Sequence, residues 1–248
     1  MLVTGSIEVA PDGGVYSYTL DRPERLPPSV ADLVKKSVPG WRFRFAQPVT
    51  AIQRAKMSLR ILAKPIDDQH ESITISGANF GEGDATDHVT FKHRPPPVYP
   101  REAIDSRVAG TVFLLMRVDR QGKVAQAAVE QVNLGVYGRE SQMHHFRSVL
   151  GNAALEAARD WTYNLPSTGK HVLDDHWDVR VPVNFDLRPA GMPPVDDYGQ
   201  WEPYIPGPRE MIPWRQNTPQ QSSSDAIPVG SISATDQSLQ LQTALGGA

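Results

Sequence analysis

Apolar and polar residues alternate most cleanly near the middle of the chain. Val112, Leu114, Met116 and Val118 fall on one face of an extended segment, and the turn Asp119-Arg120-Gln121-Gly122 follows. This pattern predicts two antiparallel strands joined by a tight connection. From about His144 to Trp161, the residues Phe146, Val149, Leu150, Ala153, Ala154 and Ala157 recur at helical spacing; Val179, Val181, Val183 and Phe185 then alternate as a third strand. Three strands and a helix can share one core, so Pro95 to Leu187 reads as one small α+β module.

The first 65 residues repeat that pattern. Val9-Ala-Pro-Asp-Gly13-Gly-Val15 has the internal spacing of Val118-Asp-Arg-Gln-Gly122-Lys-Val124, and each copy supplies a glycine for the positive φ of a hairpin turn. Pro27 and Pro28 introduce a helix carrying Val30, Leu33, Val34 and Val38, because proline suits a first turn whose amide has no partner. Pro39-Gly40 stops it. Trp41-Arg-Phe43-Arg-Phe45 then parallels Trp161-Thr-Tyr163-Asn-Leu165, and Met57, Leu59 and Ile61 parallel Val179, Val181 and Val183. The other reading is an unrelated hairpin-helix-strand unit.

Glu71 to Ser76 alternates and is suited to add a strand to the first unit, Gly77 to Asp87 reads as a loop, and Pro95-Pro96-Pro97 as a stiff spacer. Asn133 to His145 is an insertion in the second unit, a loop or an added helical turn. Beyond Leu187 the chain is rich in Pro, Gln, Ser and Thr without sustained periodicity, which predicts disorder. Trp201, Tyr204 and Trp214 are the points where this tail has material to lie against a folded unit. The expected organisation is 1–92, 93–187 and a largely disordered 188–248.

Composition narrows the function. At 248 residues the chain has room for two small domains, and its 22 Pro must concentrate in linkers or tails. A formal net charge of −3 without a Lys/Arg cluster gives no basis for nucleic-acid binding. With no Cys there is neither a disulfide framework nor a thiol nucleophile. No apolar run approaches the roughly 20 residues of a membrane span. Met1 leads directly into strand-like LVTGSIEV rather than an export leader, so the expectation is either a cytosolic protein or a sequence that begins after its leader.

No motif for catalysis, cofactor or phosphate binding is present, so no catalytic, cofactor or metal residues are expected. Adjacent His144 and His145 point about 100° apart on a helix and cannot jointly grip a metal. His88 and His93, with Asp84 and Asp87, are the one cluster suited to a cation or a hydrolytic site between the units; solvated loop residues are the alternative. Asp174-Asp175 and Asp196-Asp197 read as turn carboxylates. Trp41 and Trp161 read as residues that close the core between helix and sheet.

Taken in order, Tyr99-Pro100-Arg101-Glu102-Ala103, Gly110, the hairpin Val118 to Val124, the helix end Ala157-Ala158-Arg159-Asp160-Trp161 before Pro166, and the last strand Val179 to Leu187 resemble the C-terminal domain of TonB, the periplasmic end of a bacterial energy transducer. Together with the repeat in the first 65 residues, the resemblance leads to an expectation of two tandem α+β modules of this type, each a small antiparallel sheet packed by a helix, the first degenerate and with an extra hairpin. Tyr99, Pro100, Ala103, Gly110, Gly122, Trp161 and the equivalent Trp41 form the fold signature.

It also implies that a partner segment, such as the N-terminal box of a TonB-dependent outer-membrane receptor, adds as a strand beside Val179, Arg180, Val181, Val183, Asn184, Phe185, Asp186 and Leu187. Arg180, Asn184 and Asp186 would face away from the core and select the partner, and Pro182 suits an edge because it lacks an amide hydrogen. The family's membrane anchor and Pro-rich spanner are not found ahead of the module, so the expectation is a periplasmic protein- or peptide-binding module, with a cytoplasmic location the lesser alternative. The runner-up is a cell-envelope assembly protein that homodimerises through sheet edges.

Overall fold

The computed structural model describes every residue except 68–69, 82–85, 188–195, 216–222 and 247–248. In the first half, β1 (Leu2–Val9) and β2 (Val15–Leu20) form a hairpin, and α1 (Pro28–Ser37) follows. Then come β3 (Phe43–Phe45), β4 (Gln53–Pro65) and β5 (Glu71–Gly81), and the sheet order is β2-β1-β4-β5. Val30, Leu33 and Val34 line one face of α1, as their three- and four-residue spacing requires. They pack with Val3, Ile7, Val9, Met57, Leu59, Ile61 and Trp41 in one core.

The second half runs β6 (Thr90–His93), α2 (Arg101–Asp105), β7 (Gly110–Asp119), β8 (Val124–Leu134), α3 (Glu140–Ala158), β9 (Thr162–Asn164) and β10 (His176–Phe185). Two short strands of the tail complete the fold, β11 (Ser233–Ala234) and β12 (Leu239–Leu241). The second sheet has the order β11-β10-β7-β8. Its core gathers Val112, Leu114, Met116 and Val118 from β7, Leu150, Ala154 and Ala158 from α3, and Val179, Val181, Val183 and Phe185 from β10.

The hairpins of the two halves correspond bond for bond. Val9 faces Val15 as Val118 faces Val124, and in both a bulge falls one residue earlier, after Glu8 and after Arg117. Gly13 and Gly122 have φ of 85° and 73°. Their amides donate to Ala10 and Asp119 at 2.8 and 3.0 Å, and their carbonyls accept from Phe43 and Tyr163, each at 2.8 Å. The aromatic strand after each tryptophan therefore locks onto the turn of its own hairpin. One alignment shifts: register places Ala55, Met57 and Leu59 opposite Ile7, Gly5 and Val3, and Val179, Val181 and Val183 opposite Met116, Leu114 and Val112. The equivalent of Val181 is thus Met57, two residues from the sequence-based match, and an even shift keeps the same face inward.

Three further expectations change. The span read as a loop from Gly77 is strand as far as Gly81, because β5 pairs with β4 through Lys56↔Gly81. The second core begins ahead of residue 93, since Val89 is buried in it and β6 pairs with β9. The tail is not disordered over its described residues. β12 pairs with β3, β11 pairs with β10, and Leu134 and Ile205 exchange backbone bonds of 3.0 and 2.9 Å. The remainder of the tail expectation falls on 188–195, 216–222 and 247–248, outside the described residues.

The physical reason for the ordered tail is a second face to bury. Phe113 and Leu115 point away from α3 yet are 2% and 1% exposed. Residues 224–227 lie between the sheets: Ser58 Oγ donates to the Ala226 carbonyl (2.6 Å), Arg60 Nε to the Asp225 carbonyl (2.9 Å), and Ser224 Oγ to Gln131 Oε1 (3.3 Å). Tyr204 is half-buried against Asp225, whereas Trp201 is 41% exposed.

Candidate functional site

The residues expected to bind a partner strand lie along β10, and alternation fixes what each can offer. Val179, Val181, Val183 and Phe185 turn their side chains to the core beneath α3. The backbone groups of β10 face alternately toward β7 and away from it. The outward row is identified by Asp178, whose carbonyl accepts from Thr235 N at 3.1 Å; Arg180, Pro182 and Asn184 share its phase.

That row is already engaged by the protein itself. Val179 and Arg180 pair with Ala234 and Ser233 of β11, so the expectation that these two residues stand at an open edge is corrected. Pro182 has no amide hydrogen to give, and its carbonyl accepts from Arg94 Nη2 at 2.9 Å. The Arg94 guanidinium lies over the rings of Phe91 and Trp161, 4.5 and 5.0 Å from their centroids. No strand pairs with Val181 to Phe185 on that side among the described residues.

The side chains expected to select the partner divide. Arg180 is 4% exposed and joins Glu130 of β8 in a buried ion pair, Nε to Oε2 2.7 Å, so it is not displayed to a partner. A lone buried charge is costly, and the carboxylate beside it is what makes the burial tolerable. Asn184 is exposed and its Oδ1 accepts from Thr111 Oγ1 at 3.0 Å. Asp186 is half-buried and Leu187 is 40% exposed.

The signature residues support this strand from behind. The Tyr99 hydroxyl donates to the Val108 carbonyl at 2.7 Å, and its ring meets Phe185 edge-on at 5.4 Å. Burial, with the Asp186 carboxylate adding to it, pushes the Tyr99 phenol up to about 12. Pro100 precedes α2, Ala103 is fully buried, and a side chain on Gly110 would strike the Asn133 carbonyl at 2.6 Å. Trp161 is 1% exposed and its indole N–H donates to the Pro95 carbonyl at 2.9 Å, so the proline run is docked rather than a spacer.

The other candidate cluster does not assemble. A cleft of about 620 Å³ opens between the sheets, with Arg54, Lys56 and Asn79 on one wall and His88, Trp177 and Ser233 on another. His93 is exposed on β6, Asp87 accepts a hydrogen bond from Thr168 Oγ1, and Asp84 lies outside the described residues. Among the described residues no three His, Asp or Glu side chains come together to hold a metal. His145 bonds Glu102 at 3.0 Å, His171 bonds Asp174 at 2.6 Å, and Asp196 pairs with Arg22 and Arg25. No described helix is long and apolar enough to cross a membrane.

Sequence reasoning missed Arg94, Glu130 and the buried set of Asn79, Ser233 and Gln237. Ser233 Oγ and Gln237 Nε2 both donate to Asn79 Oδ1, at 2.8 and 2.6 Å. The signal for Glu130 was an acid inside the strand pattern Val129-Glu130-Gln131-Val132; nothing local marked the others.

No family model matches the chain, and no solved structure matches it. Two curated relatives do, both named Protein TonB, from Xanthomonas campestris pv. campestris strains B100 and ATCC 33913; each is 33% identical over 100 residues. The match covers 40% of this chain, which spans 39% of the length of each relative. In a part of its length, then, this chain is similar to TonB, and the likeness supports a TonB-like C-terminal domain within it.

Proposed function

We propose that the second half of the protein is a TonB-like binding module that takes an extended segment of another protein as an added strand along β10, and that the first half is a degenerate copy of the same unit. The observation that carries the first part is the outward row of β10: a strand paired with β7 along one edge and, among the described residues, paired over two residues on the other. Main-chain groups at such an edge bind an extended peptide without requiring reactive side chains. The matching turns, bulges and aromatic strands of the two halves support the second part.

On this reading the protein is not an enzyme and works in the periplasm, in a setting related to energy transduction and outer-membrane transport, with a TonB-dependent receptor among its candidate partners. Titrating the isotope-labelled full chain with N-terminal peptides of such receptors should shift the amides of Val181 to Leu187. Spectra unchanged at millimolar peptide would refute it. A second reading, pairing of two copies, draws on β2, the outermost strand of the first sheet, where Tyr16 is 66% exposed. A concentration-independent monomer in light scattering would exclude it.

A further inference from the structure

We propose that residues 231–236 of the tail act as an internal stand-in for the partner strand, closing the β10 edge until a segment of similar chemistry displaces them. The inference rests on the strand-addition reading and adds what governs the site and what fits it.

The register defines the stand-in. Arg180 faces Ser233 and Val179 faces Ala234, which places Ile232 beside Val181 and Thr235 beside Asp178. Ile232 packs against the second core, on the face occupied by Val179 and Val181. Ser233 points the other way, is 3% exposed, and is held by Asn79 of β5 and Gln237. A strand taking this register puts an aliphatic residue beside Val181, where the core receives it, and a hydroxyl-bearing one beside Arg180, where Asn79 of β5 accepts its hydrogen bond. The partner that fits is an extended peptide with an aliphatic-Ser/Thr-small run.

The closure is weak by construction. The equivalent position in the first sheet shows the complete version: Met57 and Lys56 face Phe80 and Gly81 of β5, which continues along β4 to Pro65 and Glu71. In the second sheet the matching pair, Val181 beside Ile232 and Arg180 facing Ser233, marks where the tail strand begins, and beyond it the row is unpaired by any strand among the described residues. The tail strand meets the row at Asp178 and Arg180, and a longer partner would add the amide and carbonyl of Asn184 and, on displacing Arg94, the carbonyl of Pro182. Tethering supplies the effective concentration that keeps the tail strand in place. An incoming segment would seat along Val181 to Phe185 and then replace Ser233 and Ala234.

The chain has no Cys, so the closure can be locked cleanly. Val179 and Ala234 form a pair whose backbone groups point away from one another, the kind with closely approaching Cα atoms that suit a disulfide. The test compares three full-length proteins: the natural chain, Val179→Cys/Ala234→Cys in oxidised and reduced forms, and Thr235→Pro, which removes the amide bonded to Asp178. The probe is a ten-residue synthetic peptide containing Val-Ile-Ser-Ala-Thr. Apparent affinity falls with the fraction of molecules whose site is open, so an edge closed in nine molecules of ten costs about tenfold.

Thr235→Pro should bind the peptide about tenfold more tightly than the natural chain. The oxidised double variant should lose binding and recover it on reduction. Equal binding by all forms overturns the stand-in while leaving strand addition intact. No binding by Thr235→Pro, with its amide spectrum still dispersed, overturns strand addition and the stand-in with it. Hydrogen exchange of the unliganded chain gives a separate reading: the Arg180 amide, facing Ser233, should exchange much faster than that of Val181, facing β7, and equal protection would refute a displaceable closure.

Discussion

The two sheets differ most at the strand next to the one that follows the helix. In the first sheet β4 is flanked by β5 over ten residue pairs, from Lys56↔Gly81 to Pro65↔Glu71. In the second, β10 is flanked by β11 over two. A hairpin brings β5 back after a short turn, whereas β11 returns only after most of the tail has passed. Closing the longer connection costs more entropy and yields fewer bonds. The same architecture thus carries one side sealed by an adjacent strand and one side held lightly by a distant segment.

If the halves are equivalent units, equivalent substitutions must cost alike. Trp41→Ala and Trp161→Ala each empty a site that is 3% and 1% exposed and should each lower stability by about 3–5 kcal/mol in urea unfolding. A large loss in one and a negligible loss in the other would break the correspondence. Removing Arg180 by Arg180→Met leaves Glu130 buried without the guanidinium and should cost about 3–5 kcal/mol, while adding Glu130→Leu should recover most of it. Failure of the double variant to recover would mean that the pair also orders the tail around it.

Smaller effects sharpen the comparison. Gly13→Ala and Gly122→Ala would each drive a methyl into a backbone carbonyl, that of Phe43 and that of Tyr163, in a positive-φ conformation. Each should cost about 1–3 kcal/mol, and matching values would support two copies of one turn. Tyr99→Phe, which has no counterpart in the first half, should cost about 1 kcal/mol through its lost bond to Val108. The Tyr99 phenol is raised in the folded state, so its contribution is complete below the ordinary tyrosine value near 10 and is lost as pH rises toward about 12. The natural chain should therefore lose stability in that window, and Tyr99→Phe should lose less of it; parallel curves would remove Tyr99 from the account.

The hairpins and their closing aromatics were legible because each depends on neighbours in sequence: Gly13 and Gly122 at fixed distance from a valine, Trp41 and Trp161 at the end of a helix. The second buried face of β7 was also written there, in the unbroken run Val112-Phe113-Leu114-Leu115-Met116, which suits a strand covered on both sides. Reading only alternate positions hid it, and with it the need for a tail that folds back. The candidate site was half legible. Its core-facing valines alternate visibly, but Arg180 looked exposed because its partner Glu130 is fifty residues away, and Ser233 belongs to a strand too short to show any period.

β12 gives the fold a timetable. Leu239 to Leu241 pair with Phe45 to Phe43 and Leu239 is buried in the first core, so the first unit is finished by a segment far downstream of it. At ordinary translation rates of roughly 5–20 residues per second the hairpin and helix of the first half wait on the order of 10–40 s for that strand. For that interval β3 has a vacant flank on the nascent chain, where a chaperone or a neighbouring copy would find it.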